Sequence, residues 1–163
     1  MESCADLDNL TGLRFVDDAF PLIIAISDPV YGAEEVRAMA EGFERYFLRG
    51  ERYAVLSVSP RNAPMPGQRE RELIAKWANH PRVRDFSKRL CVGSATVAAN
   101  PLARATLTVI LAVFKPAAPH EVVSTPEKGL DYCLKRIQEE GLPLTKPLDL
   151  MRYEMRALLA DAV

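Results

Sequence analysis

The order of apolar and amphipathic segments along the chain constrains its fold more than any other feature. Four short apolar runs have the composition of buried β-strands: residues 22–26, 53–58, 90–97 and 121–123. Each run is followed by a segment with helical periodicity, and the last such segment of the domain begins at the sharp break Thr125-Pro126. This alternation predicts an α/β domain in which crossover helices cover a sheet.

The segment before the first of these runs predicts an opening hairpin. In residues 10–18, Leu13 and Phe15 alternate imperfectly with polar residues and lead to a turn at Asp17-Asp18. Together with the apolar run after the turn, this segment gives two strands that would pair antiparallel. The sheet is therefore expected to be mixed and to contain about five strands.

Local end signals support the predicted helices. Residues 33–49 carry an apolar stripe and end before Gly50, a favoured residue after a helix C-terminus. Asn100-Pro101, like Thr125-Pro126, combines a capping side chain with a proline at the first helical position. The helix that follows Asn100, residues 102–114, is apolar over most of its surface. Such a helix is either deeply buried or paired with another subunit.

A proline-rich segment separates the central strand from the next helix. Residues 59–67 contain three prolines, which predicts a stiff exposed loop rather than a helix or an inner strand. A helix follows from about Gln68, and Pro81 ends or kinks it. The loop and the start of this helix are thus expected to be accessible to a partner.

The C-terminal segment predicts an amphipathic helix that follows a complete domain. We divide the chain into a flexible N-terminus (residues 1–9), a domain (10–141) and a tail helix (142–163). Because the apolar stripe of the tail has no obvious place on its own sheet, it predicts a homodimer with closed two-fold pairing. The alternative is a tail folded back on its own domain. The stripe consists of Leu148, Met151, Met155, Leu158 and Leu159.

Composition bears on the partners and the compartment. A chain of 163 residues with 21 basic and 22 acidic side chains has a net charge of −1, which gives no bulk attraction to nucleic acid or anionic lipid. The basic residues between positions 69 and 89 alternate with acidic ones, as on a solvated helix face. No secretory signal and no apolar stretch of about 20 residues is present, which predicts a protein without membrane insertion. Cys4, Cys91 and Cys133 lack metal-type spacing and fit a reducing, bacterial-type cytoplasm.

The reactive side chains form no recognisable catalytic, metal or cofactor motif. His80 and His120 lie beside prolines in predicted loops, without ligands at metal spacing. Ser57 and Ser59 lack the glycine-flanked motif of a nucleophilic serine, and neither histidine has an identifiable carboxylate partner. We therefore predict no catalytic residue, no metal and no cofactor, and the chain is expected not to be an enzyme.

Residues 120–134 carry a resemblance to a known family. They combine a short strand, a polar cap and a helix in which Gly129 stands three positions before Tyr132. With the element order over residues 10–141, this segment resembles the STAS (anti-sigma-factor antagonist) superfamily, and most closely its SpoIIAA-like branch. Signalling members carry an Asp-x-Ser-Gly phosphoacceptor after the central strand. Residues 59–67 do not contain that motif.

The resemblance implies a non-enzymatic cytoplasmic module that binds a partner protein. In STAS-like proteins, partners engage the region that residues 59–67 occupy here, and a rigid loop binds at a lower ordering cost. The residues expected to contact the partner are Ser59, Arg61, Asn62, Met65 and Gln68. The alternative function is binding of a small apolar, lipid-like ligand between the sheet and the apolar helix 102–114, where Gly93, Ser94 and Ala95 would leave space.

Overall fold

A five-stranded mixed sheet forms the centre of the domain. The computed structural model describes residues 13–27, 32–59 and 66–162. β1 pairs antiparallel with β2, and all other neighbouring strands pair parallel. The predicted α/β class, the mixed sheet and the N-terminal hairpin are confirmed, whereas the flexible segment predicted for residues 1–9 lies outside the described residues. The strands cross the sheet in chain order: β1 (Leu13–Val16), β2 (Leu22–Ser27), β3 (Tyr53–Val58), β4 (Cys91–Val97) and β5 (His120–Val123).

Helices cover both faces of the sheet. Parallel strands in sequential order need crossovers of one hand, which places the connecting helices α1 to α4 on one face. Helices α5 and α6 pack against the opposite face. Over the described residues the helices are α1 (Ala33–Arg49), α2 (Gln68–Ala78), α3 (Pro81–Leu90), α4 (Pro101–Val113), α5 (Pro126–Glu139) and α6 (Leu148–Ala162).

The helix ends follow the local signals in the sequence. The side chain of Asn100 accepts from the amide of Leu102 at 2.8 Å, and the hydroxyl of Thr125 accepts from the amide of Lys128 at 3.2 Å. Gly50 ends α1 with φ = +69°, a left-handed conformation that suits glycine. At Pro81 the chain does not kink but starts a separate helix, because a proline fits the first turn and not the interior of a helix.

The core beneath α5 and α6 is aliphatic. Leu56, Leu134, Ile137 and Cys133 are fully buried between the sheet and α5. Gly129 lets α5 approach the sheet closely, because a Cβ atom added there would stand 2.4 Å from Cδ1 of Leu56. The small residue that supports the family resemblance thus has a packing reason.

The core beneath α1, α2 and α3 is aromatic. The rings of Phe47 and Phe86 stack with centroids 5.0 Å apart, and those of Phe43 and Trp77 lie 5.5 Å apart. Tyr46 contacts this cluster from α1 and is buried. These contacts hold α1 and α3 firmly on the sheet.

The tail helix occupies a place on its own domain. Met151, Met155 and Leu159 are 0%, 5% and 4% exposed within a single chain, and Leu148 and Leu158 pack against the same core. Salt bridges from Arg156 to Glu127 (2.6 Å) and from Arg152 to Asp131 join α6 to α5. The expectation that the stripe lacks a vacancy on its own sheet is wrong, because α5 and the sheet leave an apolar groove that α6 fills. Self-association itself stays a prediction.

Candidate functional site

Helix α4 exposes a continuous apolar stripe. Leu102, Val109 and Val113 are 76%, 65% and 72% exposed, and Phe114, just beyond the helix, is 49% exposed. A surface patch of this kind marks an interaction site more often than a scattered apolar residue does. We call the stripe the α4 face, and its residues lie at three- and four-residue spacing: Leu102, Ala105, Val109, Ala112 and Val113.

The inner side of α4 is only partly covered as well. No residue of α4 is buried, although Leu107, Ile110 and Leu111 are half-buried toward the domain. The expected deep burial of this helix is therefore wrong. The alternative, a helix paired with another subunit, stays a prediction.

The α4 face carries no charge and presents no unpaired hydroxyl. The one charged residue of α4, Arg104, donates to the carbonyl oxygens of Ala98 and Ala99 at 2.9 and 3.3 Å. The hydroxyls of Thr106 and Thr108 donate to helix carbonyls one turn back, at 2.9 and 2.8 Å. A partner that covers this helix would therefore have little polar surface to desolvate.

Basic residues gather at the C-terminal end of α4. A guanidinium nitrogen of Arg84 donates to the carbonyl oxygen of Lys115 at 3.2 Å, so α3 contacts the chain where α4 ends. Lys88 lies one turn along α3 from Arg84, on the same side of that helix, and both lysines are exposed. Over the described residues no ion pair involves these three cations. The neighbouring Asp85 is paired with Arg89 at 2.8 Å and does not neutralise them.

The structure places two of the predicted partner-binding residues, and Arg61, Asn62 and Met65 lie outside the described residues. Ser59 is exposed just beyond β3, and its Oγ atom lies 2.8 Å from Oγ of Ser27. Gln68 is the exposed first residue of α2, and its side-chain amide donates to Glu72 at 3.0 Å. These bonds orient the side chains of Ser59 and Gln68. Their contacts with a partner stay a prediction.

The start of α4 lies at the same edge of the sheet as Ser59. β3 and β4 run parallel with Ser57 opposite Thr96, so both strands leave the sheet at neighbouring positions. Beyond them come Ser59 on one side and Asn100, the cap of α4, on the other. The carboxyl-terminal edge of a parallel sheet is where α/β folds commonly bind other molecules.

A half-buried imidazole joins β4 to β5 on the side of the sheet where α4 lies. Oγ of Ser94 lies 2.5 Å from Nδ1 of His120, and Oγ1 of Thr96 lies 3.3 Å from Nε2. One ring nitrogen donates and the other accepts in either neutral tautomer, so both can be satisfied. Burial lowers the pKa of His120 to about 4, which keeps the ring uncharged at neutral pH.

Sequence reasoning missed this pairing. His120 was expected in a loop, but it is the first residue of β5 and stands opposite Ser94 in the β4–β5 register. A serine beside a histidine is the start of a nucleophilic pair, but an imidazole with such a low pKa is a poor base at pH 7. The pair therefore fits a cross-strand bond better than a reaction centre. His80 instead caps α3 and accepts from the amide of Arg82 at 3.3 Å.

Gly93 and Ala95 do not line a space beneath α4, because both face α5 on the other side of the sheet. A Cβ atom added at Gly93 would stand 2.7 Å from Cγ of Arg136, and Ala95 is fully buried in the core beneath α5. Binding of an apolar ligand beside α4 stays a prediction. A cavity of about 550 Å³ opens at the other edge of the sheet, between β1 and α6. Its lining combines the apolar side chains of Val16, Met155 and Leu158 with a salt bridge of 2.7 Å between Lys146 and Glu154.

The described residues form neither a metal cluster nor a membrane-spanning helix. No group of three or more His, Cys, Asp or Glu side chains is arranged to hold a metal ion. No described helix combines the length and the apolar character that crossing a membrane requires. Cys91 and Cys133 are buried core residues with free thiols.

Comparisons with protein-family models, with curated proteins and with solved structures find no match to this chain. The identification of the α4 face and the basic residues at its end as the candidate site therefore rests on their geometry alone.

Proposed function

We propose that this chain is a non-enzymatic, STAS-like interaction module of the bacterial cytoplasm, and that it binds a partner protein through the α4 face. The observation that carries the proposal is the exposure of Leu102, Val109 and Val113 on a helix without a buried residue. An exposed apolar helix costs free energy in water, and covering it with a partner recovers that free energy.

The position of α4 supports the proposal. The helix begins at the sheet edge where Ser59 follows β3, so a partner on its N-terminal half also comes within reach of Ser59. Ser59 then contributes to the polar rim of a surface whose centre is apolar, the usual arrangement of a protein interface.

Site-specific photocrosslinking in the native cells tests this function. Benzoylphenylalanine replaces Val109 in one variant and Leu48 in a matched variant, because Leu48 is also apolar and 74% exposed but lies on α1. We expect a discrete crosslinked protein from position 109 that position 48 does not give. Equal products from both positions, or none from position 109, would contradict the proposal.

A binding assay with the purified partner then identifies the contact. We expect Val109→Asp to weaken binding at least about tenfold, as for a central apolar contact, and Leu48→Asp to leave it unchanged. Both sites are exposed, so neither variant is expected to change the thermal unfolding midpoint by more than a few degrees.

A further inference from the structure

We infer that the occupant of the α4 face is an amphipathic helix of another protein, with acidic residues where it passes the C-terminal end of α4. This inference rests on the proposed function and specifies the partner's chemistry. It follows from the size of the face, the side chains on it and the charges at its end.

The size of the face favours a single helix over a second copy of the chain. A helix of 13 residues is about 20 Å long and roughly 10 Å wide, which gives a face on the order of 200 Å². A stable dimer buries roughly 800 Å² on each partner. The face alone is too small for that, whereas its length of about 20 Å matches one partner helix of similar length laid along it.

The side chains on the face suit a packed helix. Ala105 and Ala112 stand between the larger Leu102, Val109 and Val113, so the surface has depressions into which side chains of a second helix fit. Helices that lie in a membrane surface instead present bulky Trp, Phe and Leu side chains along the whole apolar side. The alternation of small and large residues therefore favours a protein partner.

The basic residues at the end of α4 determine which polar residues the partner helix carries and in which direction it lies. Arg84, Lys88 and Lys115 add three positive charges at one end of a face that otherwise has none. The whole chain has a net charge of −1, so attraction of an acidic group is local to this end. Acidic residues of a partner helix would be held there and would fix which way it lies.

Designed peptides test the inference without the natural partner. The probe is a labelled peptide of about 18 residues, five helical turns, with leucines at three- and four-residue spacing and glutamates at one end. A second peptide carries lysines in place of the glutamates. We expect the acidic peptide to bind the full chain at least about fivefold more tightly in fluorescence anisotropy at low salt, and this preference to shrink at high salt.

Reversing the charge of two lysines then tests whether the basic end of α4 selects the acidic peptide. Lys88→Glu combined with Lys115→Glu should invert the preference, so that the lysine peptide binds more tightly than the acidic one. The matched control is Lys135→Glu, an exposed lysine on α5 at the opposite face of the sheet, which should keep the wild-type preference. Equal binding of both peptides that no lysine variant alters would overturn the inference, while a partner crosslinked at position 109 would still support the proposed function.

A membrane surface or a second copy of the chain on the α4 face would give different experimental results. Cosedimentation with vesicles of phosphatidylserine, lost in Val109→Asp, would assign the face to a membrane. A concentration-dependent dimer in analytical ultracentrifugation, also lost in Val109→Asp, would assign it to a second copy. Either result, with no preference between the peptides, would overturn the inference.

Discussion

Nδ1 of His120 lies 2.5 Å from Oγ of Ser94, across two strands whose paired residues are 26 positions apart in the chain. Thr96 bonds the other ring nitrogen at 3.3 Å, so the imidazole holds β5 to β4 through side chains as well as through the backbone ladder. Because β5 is a short edge strand of four residues, this additional bond stabilises the edge next to α4.

The half-buried imidazole of His120 predicts a loss of stability in mild acid. Burial lowers the pKa of His120 from 6.5 to about 4, so between these values the unfolded chain binds a proton that the folded chain does not. Stability from this group is therefore complete above pH 6.5 and is lost as the pH falls toward 4, by up to about 3 kcal/mol. Urea unfolding from pH 7.5 to 4 measures it.

The comparison variant is His120→Gln, which cannot take up this proton. We expect its unfolding free energy to fall less between pH 6.5 and 4 than that of the wild type, by up to about 3 kcal/mol. Parallel curves for wild type and His120→Gln would show that His120 does not carry the effect.

Replacing Gly129 by alanine is expected to destabilise the chain, which is the opposite of the usual effect inside a helix. Replacing glycine by alanine inside a helix normally stabilises by about 1 kcal/mol. Here the new methyl would stand 2.4 Å from Cδ1 of Leu56, so we expect Gly129→Ala to lower the unfolding free energy by about 1–3 kcal/mol. Gln138→Ala, at an exposed position of α5, should change it by less than about 0.5 kcal/mol.

A double-mutant cycle tests the cause of that loss. Leu56→Val removes the methyl group that the new Cβ would meet, so Gly129→Ala should cost less in the Leu56→Val background than in the wild type. An equal cost in both backgrounds would place the clash elsewhere.

Local signals predicted much of the fold because they act within a few residues. The bounds of α1 and β3 match the expectation, since Gly50 ends the helix and an apolar run of strand length follows it. Contacts between distant segments could not be predicted in this way. The bond between Ser94 and His120 depends on the β4–β5 register, which no short pattern in either strand specifies.

The candidate site could be predicted only in part, because the covering of a helix depends on segments distant in the chain. Apolar composition shows that α4 should be covered, but it does not distinguish a buried helix from an exposed one that awaits a partner. The stripe of α6 likewise predicts burial without indicating the surface that provides it, and the structure assigns that surface to α5 and the sheet.

The packing of α6 predicts that its inner residues stabilise a single chain. Met151 is fully buried, so Met151→Ala should lower the unfolding free energy by about 2–5 kcal/mol. Tyr153, 73% exposed on the same helix, provides the control, and Tyr153→Ala should change it by less than about 0.5 kcal/mol. The loss in Met151→Ala should be the same at all protein concentrations, whereas a concentration-dependent loss would indicate that α6 is exchanged between copies.

The two core cysteines predict a thiol reactivity that reports on unfolding. Burial raises the pKa of Cys91 to about 11 and raises that of Cys133 further, so almost no thiolate is present in the folded chain at pH 8. In a Cys4→Ser variant we expect labelling by iodoacetamide, followed by mass spectrometry, to be at least about a hundredfold slower in buffer than in urea. Both thiols should be labelled together as urea unfolds the chain, because both lie in cores formed against the same sheet. Rapid labelling of either cysteine in buffer alone would show that its side of the sheet opens locally.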